Sequence, residues 1–418
     1  MFERTMAKAI TDASRGFAVV LLTGQRQVGK STLLCGMLDS KKNYVSLDNF
    51  ADRQLAKTNP EGFLQKYSPP VIIDEVQYAP ELFTYIKIWV DENKFAALKG
   101  EGDKPRGAFW LTGSQKYTLM KNVQESMAGR VAILEMLGFS YKEIIGKPTQ
   151  YPPFVPSMAL IKRKSISKPL TTLQVFEHIW KGSFPELIAD EQLPRKRFYD
   201  SYIQTYITRD VKDFYNIDNE LAFYNLLVAV AARTGELLNY DNLATTARID
   251  KRTCKLWLEI LERSGIIYLL QPYSGNINKR LIKTPKVYFM DTGLAAYLTN
   301  WHTPDSLMTG AQSGHFLETY IFGEILKSYL HNGEKPAIYF YRNSKKKKRE
   351  IDFILEHDNV LHPIEVKQTN IPTSRDAGNF TLLADENKPI GTGAVICMTN
   401  KIIPIENLDA ISFPVWEI

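Results

Sequence analysis

Residues Phe17–Thr23 form a short apolar run rich in branched side chains. A glycine-containing loop follows at once, and then Ser31–Leu38, whose apolar positions recur at helical spacing. The alternation continues, with Tyr44–Leu47, Val71–Ile73, Ala108–Thr112 and Val131–Met136 reading as four further strands. Strands alternating with helices predict a parallel sheet wrapped by helices. Tyr151–Pro156 and the basic, serine-bearing Lys162–Lys168 break the periodicity and read as a linker or loop. From Thr171 to about Tyr268 the pattern is mostly helical, and strands reappear after about Gly310. No internal repeat is present.

Two of these stretches predict a specific shape. Asp241–Ile249 and Lys251–Ser264 read as two helices around a tight turn, with Asp250 as N-cap of the second. Ile266–Pro272 and Leu281–Tyr288 then read as a two-stranded wing around Ser274-Gly275-Asn276, a winged helix-turn-helix pattern. Further on, His315–Leu330 is an amphipathic helix on which Ile321, Phe322, Ile325 and Tyr329 lie close to the direction of Glu318. Ala337–Tyr341, Glu350–Leu355 and His362–Lys367 are strands, and Asn343–Lys348 is a basic tip between the first two.

Length divides this pattern into parts. A chain of 418 residues exceeds one ordinary core. Three units are expected: residues 1–150, 171–300 and 305–418. With 44% hydrophobic and 23% charged residues, each can bury an interior. Cys35, Cys254 and Cys397 are far apart and form no CxxC or Cys/His cluster, which fits a reducing cytoplasm and argues against structural zinc. Met1–Ala18 mixes Glu3, Arg4, Lys8 and Asp12 into its apolar residues, unlike a signal peptide, and no apolar run approaches membrane-spanning length. A net charge of +6 permits a polyanionic partner without requiring one.

The chemistry is densest at the start. Gly24-Gln25-Arg26-Gln27-Val28-Gly29-Lys30-Ser31 matches G-x4-G-K-S/T between a predicted strand and a predicted helix, and Thr32 continues into that helix. Glycines let backbone N–H groups wrap phosphates, and the helix N-terminus favours negative charge. Lys30 is expected to reach the β/γ-phosphates of ATP and the Ser31 hydroxyl to ligate magnesium. Val71-Ile72-Ile73-Asp74-Glu75 is an apolar strand ending in two carboxylates, Asp74 to hold magnesium and Glu75 to polarise the attacking water. Leu111-Thr112-Gly113-Ser114 offers Ser114 as a γ-phosphate sensor, or a simple turn.

GQRQVGKS, VIIDEVQ, LTGSQ and MAGRV, in this order, resemble the AAA-type ATPases of a prokaryotic family in which a domain of unknown function follows the ATPase. Gln25 departs from that family's usual proline. The resemblance implies an oligomer in which Arg130 is an arginine finger reaching a neighbouring subunit's ATP; a structural arginine paired with a carboxylate is the alternative. Trp180-Lys181-Gly182-Ser183-Phe184-Pro185-Glu186 and Tyr202–Val211, with Arg209 and Asp210, resemble the start of the family's second domain, with packing as their default role.

In the second helix of the pair, Cys254, Trp257, Leu258 and Leu261 give the buried stripe. Lys251, Arg252 and Lys255 cluster in its first turns, where such helices touch DNA. Glu259 and Glu262 weaken that reading, and a winged helix used for protein packing stays open. At the C-terminal end, Asp352 on one strand and Glu365-Val366-Lys367 on the next bring two carboxylates and a lysine together, since residues i and i+2 share a face. Two carboxylates can hold magnesium while the lysine stabilises developing charge. The set, with Glu318 as helical acid and third metal ligand, resembles the PD-(D/E)xK nuclease fold, like archaeal Holliday-junction resolvases. Ordinary surface acids, or a nuclease fold that binds without cutting, are the alternatives. Lys345–Arg349 is five consecutive basic residues beside this site, either solvated or a phosphate contact.

The expected protein is multidomain α/β: an AAA-type P-loop NTPase parallel sheet, a helical and winged-helix middle, and a restriction-endonuclease-like C-terminus. It would be a cytoplasmic homo-oligomer using ATP and magnesium on branched or duplex DNA, with no membrane. Two other functions compete: a nucleotide-switched scaffold for a protein partner, and a toxin or defence effector with a gated nuclease-like domain.

Overall fold

In a computed structural model, the described residues are 2–37, 43–113, 127–148, 152–165, 167–205, 219–275, 284–343 and 349–418. Ser114, Arg209, Asp210, Asn276, Leu281 and Lys345–Lys348, singled out above, lie outside them.

The first sheet is built from β1 (Val19–Thr23), β2 (Asn43–Ser46), β3 (Val71–Asp74), β4 (Phe109–Gly113) and β5 (Val131–Glu135). All neighbours are parallel, in the order β2-β3-β4-β1-β5. Central strands buried on both faces read as unbroken apolar runs, which is why β1, β3 and β4 were legible. β1 starts two residues later than the apolar run because Phe17 is exposed and closes a preceding helix, Met6–Gly16, through its N–H to Ala13 O at 2.9 Å. The pairing β3–β4–β1 sets Thr23, Asp74 and Gly113 at one sheet edge, above which the loop to helix Lys30–Gly36 turns.

The middle segment is mainly helical. Helix Thr172–Lys181 starts at a Thr171–Gln174 capping box and stops at Gly182, whose φ is +84°. A Cβ at Gly182 would fall 2.5 Å from an oxygen of Asp291. That carboxylate accepts bonds from the Ser183 N–H at 2.7 Å and the Tyr199 hydroxyl at 2.9 Å. Trp180–Glu186 is thus a packing knot. Helices Tyr240–Ala247 and Lys251–Arg263 follow, the second capped by Asp250, which accepts from Arg252 N and Thr253 N at 2.9 and 3.0 Å. A 3-stranded antiparallel sheet of β6 (Glu236–Leu237), β7 (Ile267–Leu270) and β8 (Lys286–Phe289) stands beside them in the order β6-β8-β7.

Helix Ser313–Leu330 opens the last segment, followed by β9 (Ala337–Asn343), β10 (Arg349–His357), β11 (Val360–Val366), β12 (Gly393–Cys397), β13 (Ile403–Pro404) and β14 (Ala410–Pro414). Their sheet is mixed, in the order β13-β14-β12-β11-β10-β9. The β11–β12 and β12–β14 pairs are parallel and the others antiparallel. One apolar core runs from Met6 and Ile10 through Leu258 and Phe322 to Trp416, so the three segments share an interior. Cys35, Cys254 and Cys397 are free thiols. Among the described residues no helix is long and apolar enough to cross a membrane.

Candidate nucleotide site and C-terminal carboxylates

The loop between β1 and helix Lys30–Gly36 takes a path that only particular residues allow. Gly24 has φ +144°, and a Cβ there would sit 2.0 Å from the Met136 carbonyl oxygen. Gly29 and Gln27 also have positive φ, +89° and +60°. The loop borders a cavity of about 300 Å³ lined by Arg26, Gln27, Gly29, Lys30, Ser31, Thr32 and Glu75, and by Tyr202 and Thr205 of the middle segment. Buried Lys30 donates to the carbonyls of Gly24 and Gln25 at 3.0 and 2.6 Å. The Val28 side chain points into the core, and Gln25 is buried with its amide donating to the Gly265 carbonyl.

Asp74 ends β3 directly opposite. It accepts from the Ser31 hydroxyl at 2.7 Å, from the Tyr44 hydroxyl at 3.0 Å and from Thr112. Burial first, and then the Asp74 charge, push the Tyr44 phenol above its ordinary pKa. Glu75 adopts the left-handed conformation, φ +56°, uncommon for a glutamate. Its N–H donates to Thr112 Oγ1 at 3.2 Å and its carboxylate accepts from Gln77. Thr112 therefore fixes both acids, a role the sequence reading passed over in favour of its neighbour Ser114. Ser31 and Asp74 already share a hydrogen bond at the loop, so their oxygens suit a hard cation such as magnesium.

The back of the loop is held by residues that carried no motif. Arg4 is buried and donates to Val28 O at 3.0 Å, Leu137 O at 2.7 Å and the Glu143 carboxylate at 3.2 Å. Glu143 also faces Nδ1 of His331 at 3.4 Å. Burial opposes its charge, but His331 and Arg4 outweigh that and hold its pKa well below the usual carboxylate range. From the same helix end, Lys327 donates to Phe139 O at 2.9 Å, and Glu324 accepts from Tyr141 N at 2.9 Å. The C-terminal helix is thereby bound into the nucleotide domain.

Of the two roles open for Arg130, the geometry displays the ion pair: Nε and a terminal nitrogen reach the two oxygens of Asp91 at 2.7 and 2.9 Å. In helix Lys251–Arg263, Lys251, Arg252 and Lys255 are exposed. Lys251 pairs with Asp241 at 2.9 Å, and Lys255 lies 5.3 Å from the Tyr240 ring centroid.

The strand pairing brings Asp352, Glu365 and Lys367 together as expected from the E-x-K spacing. Lys367 Nζ is 2.6 Å from Glu365 and 3.9 Å from Asp352, which also accepts from the Val366 N–H at 2.8 Å. Asn379 donates to Glu365 at 3.3 Å. Burial and the Asp352 charge, against Lys367, push Glu365 up to about 8. Glu318 does lie on the buried face of its helix, but it is tied to β8: Lys286 Nζ is 3.0 Å away and the Tyr288 hydroxyl donates to the same oxygen. Burial pushes Glu318 up to about 7, Lys286 opposing and Asp352 adding to the rise. Lys286 also pairs with Glu350. Among the described residues, no three His, Cys, Asp or Glu side chains are placed to hold a metal ion.

A parallel sheet with a phosphate loop after β1 and a carboxylate pair at the end of β3 defines a P-loop nucleoside-triphosphatase fold. Residues 16–145 match the AAA domain family, in keeping with the AAA-type P-loop ATPase fold of this part of the chain. Residues 172–305 and 313–416 match two domains of unknown function, DUF8612 and DUF4143. An uncharacterized protein of Mycobacterium tuberculosis is 24% identical over 379 residues, 88% of this chain and 75% of its own. One of Methanocaldococcus jannaschii is 24% identical over 362 residues, 79% of this chain and 69% of its own. A Walker-type ATPase of Pyrococcus abyssi superposes with TM-score 0.42 at 15% identity, covering 71% of this chain and 96% of its own. The Aeropyrum pernix ORC2 protein does so with TM-score 0.34 at 12% identity, covering 73% and 93%.

Proposed function

We propose that the protein hydrolyses ATP at the Lys30–Ser31–Asp74–Glu75 site and uses the cycle to act on DNA. The observation that carries the first half is the 2.7 Å bond from Ser31 to Asp74, with Glu75 next in sequence and lining the same cavity. Lys30 would leave the Gly24 and Gln25 carbonyls for the phosphates, and Ser31 and Asp74 would hold magnesium, which supplies charge neutralisation when bound. Glu75, oriented by Thr112 and Gln77, would accept the proton of the attacking water. The DNA half is supported by the exposed Lys251, Arg252 and Lys255 on a helix pair flanked by a small antiparallel sheet, a winged-helix arrangement. The C-terminal segment is proposed as a nuclease-like fold, with Asp352 on β10, Glu365 in β11 and Lys367 just beyond it. Glu318 is tied to Lys286 and Tyr288 rather than free to join Asp352 and Glu365 on a metal, which favours binding over cutting.

The test is steady-state ATP hydrolysis together with DNA binding by fluorescence anisotropy, on linear, forked and four-way duplexes with and without ATP. Lys30→Ala should abolish turnover, and Glu75→Gln should bind ATP without hydrolysing it. Wild-type rates in both variants would remove the site from the account. Capture of a protein partner in an ATP-dependent manner, with no DNA affinity at any salt concentration, would favour the scaffold instead.

A further inference from the structure

The carboxylates of Glu318, Glu350, Asp352 and Glu365 form one cluster, Glu318 and Glu365 buried and Glu350 and Asp352 partly exposed, and two ammonium groups enter it from different elements. Lys367, just past β11, serves Glu365 and Asp352. Lys286, on β8 of the middle segment, serves Glu318 and Glu350. We infer that Lys286 is the resident cation of this cluster, taking the place of a divalent metal, and that the C-terminal segment is built to stand without one.

Three observations carry this. First, the helical acid is already committed: one oxygen of Glu318 receives both Lys286 Nζ at 3.0 Å and the Tyr288 hydroxyl. Lys286 and Tyr288 are two apart on β8 and share a face, so that strand presents a two-pronged donor to Glu318. Second, Lys286 is only 4% exposed. A buried ammonium is costly unless its charge is matched, and here Glu318 and Glu350 match it directly. Burial works against its charged form, but Glu318, Glu350 and Asp352 outweigh that and hold its pKa above the ordinary value. Third, an ammonium within hydrogen-bond distance of an acid and a divalent ion on the same acid repel each other strongly in an interior where water screens little. The expected trio of Glu318, Asp352 and Glu365 therefore does not fit a metal as it stands.

The consequence reaches beyond the cluster. β8 belongs to the middle segment and Glu318 and Glu350 to the last one, so the helical acid of the nuclease-like set, together with Glu350, serves here as a lock between segments. This holds whether or not the ATPase acts on DNA.

Thermal unfolding of the full-length protein tests it, in EDTA and then in excess Mg2+ or Mn2+. Any rise in the wild-type Tm with metal should be matched in Asp352→Asn, since the Ser31–Asp74 site is intact in both and the C-terminal cluster takes no ion in either. Lys286→Met should lower Tm by roughly 5 °C or more in EDTA, because it leaves buried Glu318 and half-buried Glu350 unmatched. Mn2+ should recover part of that loss, and Lys286→Arg should stay near the wild type. A wild-type Tm that climbs with Mn2+ and loses the response in Asp352→Asn would overturn the inference. So would a Lys286→Met protein as stable as the wild type. If Lys286→Met does not fold, Mn2+ uptake by the wild type decides, read by electron paramagnetic resonance. Uptake equal in wild type and Asp352→Asn supports the resident lysine, whereas a saturable component lost in Asp352→Asn overturns it.

Discussion

Asp74 gathers the hydroxyls of Ser31, Tyr44 and Thr112, and of these the sequence motifs point to a role at the site for Ser31 alone. The loop glycines, Lys30 and the acid pair were legible because phosphate chemistry fixes their residue types at fixed spacing. Tyr44 and Thr112 were not, since any hydroxyl brought there by the sheet register could serve. Thr112→Val keeps the volume and removes a donor to Asp74 and the acceptor for the Glu75 N–H. It should lower kcat about ten-fold or more while leaving KM for ATP within about two-fold, in a coupled ATPase assay. Arg130 can be resolved the same way. If it serves only Asp91, Arg130→Ala and Asp91→Ala should behave alike, with stability changes of about 1 kcal/mol for a partly exposed pair. If it reaches the ATP of a second copy, Arg130→Ala alone should cut turnover, and mixing it with Lys30→Ala protein should restore part of it.

At the scale of elements, hydrophobic periodicity and capping residues mark β1 to β5, the helix pair around Asp250 and helix Ser313–Leu330. The helix pair around Asp250 was readable because a capping aspartate and an apolar stripe are both local signals. Helix Met6–Gly16 was missed: only Met6 and Ile10 of it are buried, too sparse a stripe to stand out. The third strand, β6, is two residues long and carries no pattern of its own. If helix Lys251–Arg263 meets DNA, replacing Lys251, Arg252 and Lys255 by serine should weaken binding to every duplex. The slope of log K against log salt should flatten by roughly one per lost phosphate contact. The loop-to-helix link from Gln25 to Gly265 joins the phosphate loop to the turn after this helix. Gln25→Ala should accordingly leave ATP hydrolysis near wild type but shrink the difference in DNA affinity between ATP and ADP, read by the same anisotropy titrations.

Across the whole molecule, what no sequence pattern announced is how the three segments interlock. Arg4, Glu143 and His331 are far apart in the chain and each is an ordinary charged or polar residue in its local context. Removing the charge of Glu143 strands a buried arginine, so Glu143→Gln should cost about 3–5 kcal/mol in urea unfolding and raise KM for ATP, because Arg4 supports the loop carbonyl of Val28. The acid cluster sets a pH dependence of its own. Glu365 at about 8 lies above the unfolded carboxyl value, so the native state keeps a proton that the unfolded chain releases. Its stabilising contribution is complete below the unfolded value and is lost as pH rises through about 8. Glu365→Gln should flatten the decline of unfolding free energy from about pH 5 to about pH 9; an unchanged slope would show that Glu365 is ionised throughout. The Arg4–Glu143–His331 contact also sets an order of events during synthesis. A ribosome releases the phosphate loop early, yet the partner that buttresses Glu143 emerges only with residue 331, so the nucleotide domain leaves the exit tunnel with its rear wall unfinished. Tight ATP binding by nascent chains should therefore begin only after the C-terminal helix has been made, and chains stalled before it should be open to proteolysis.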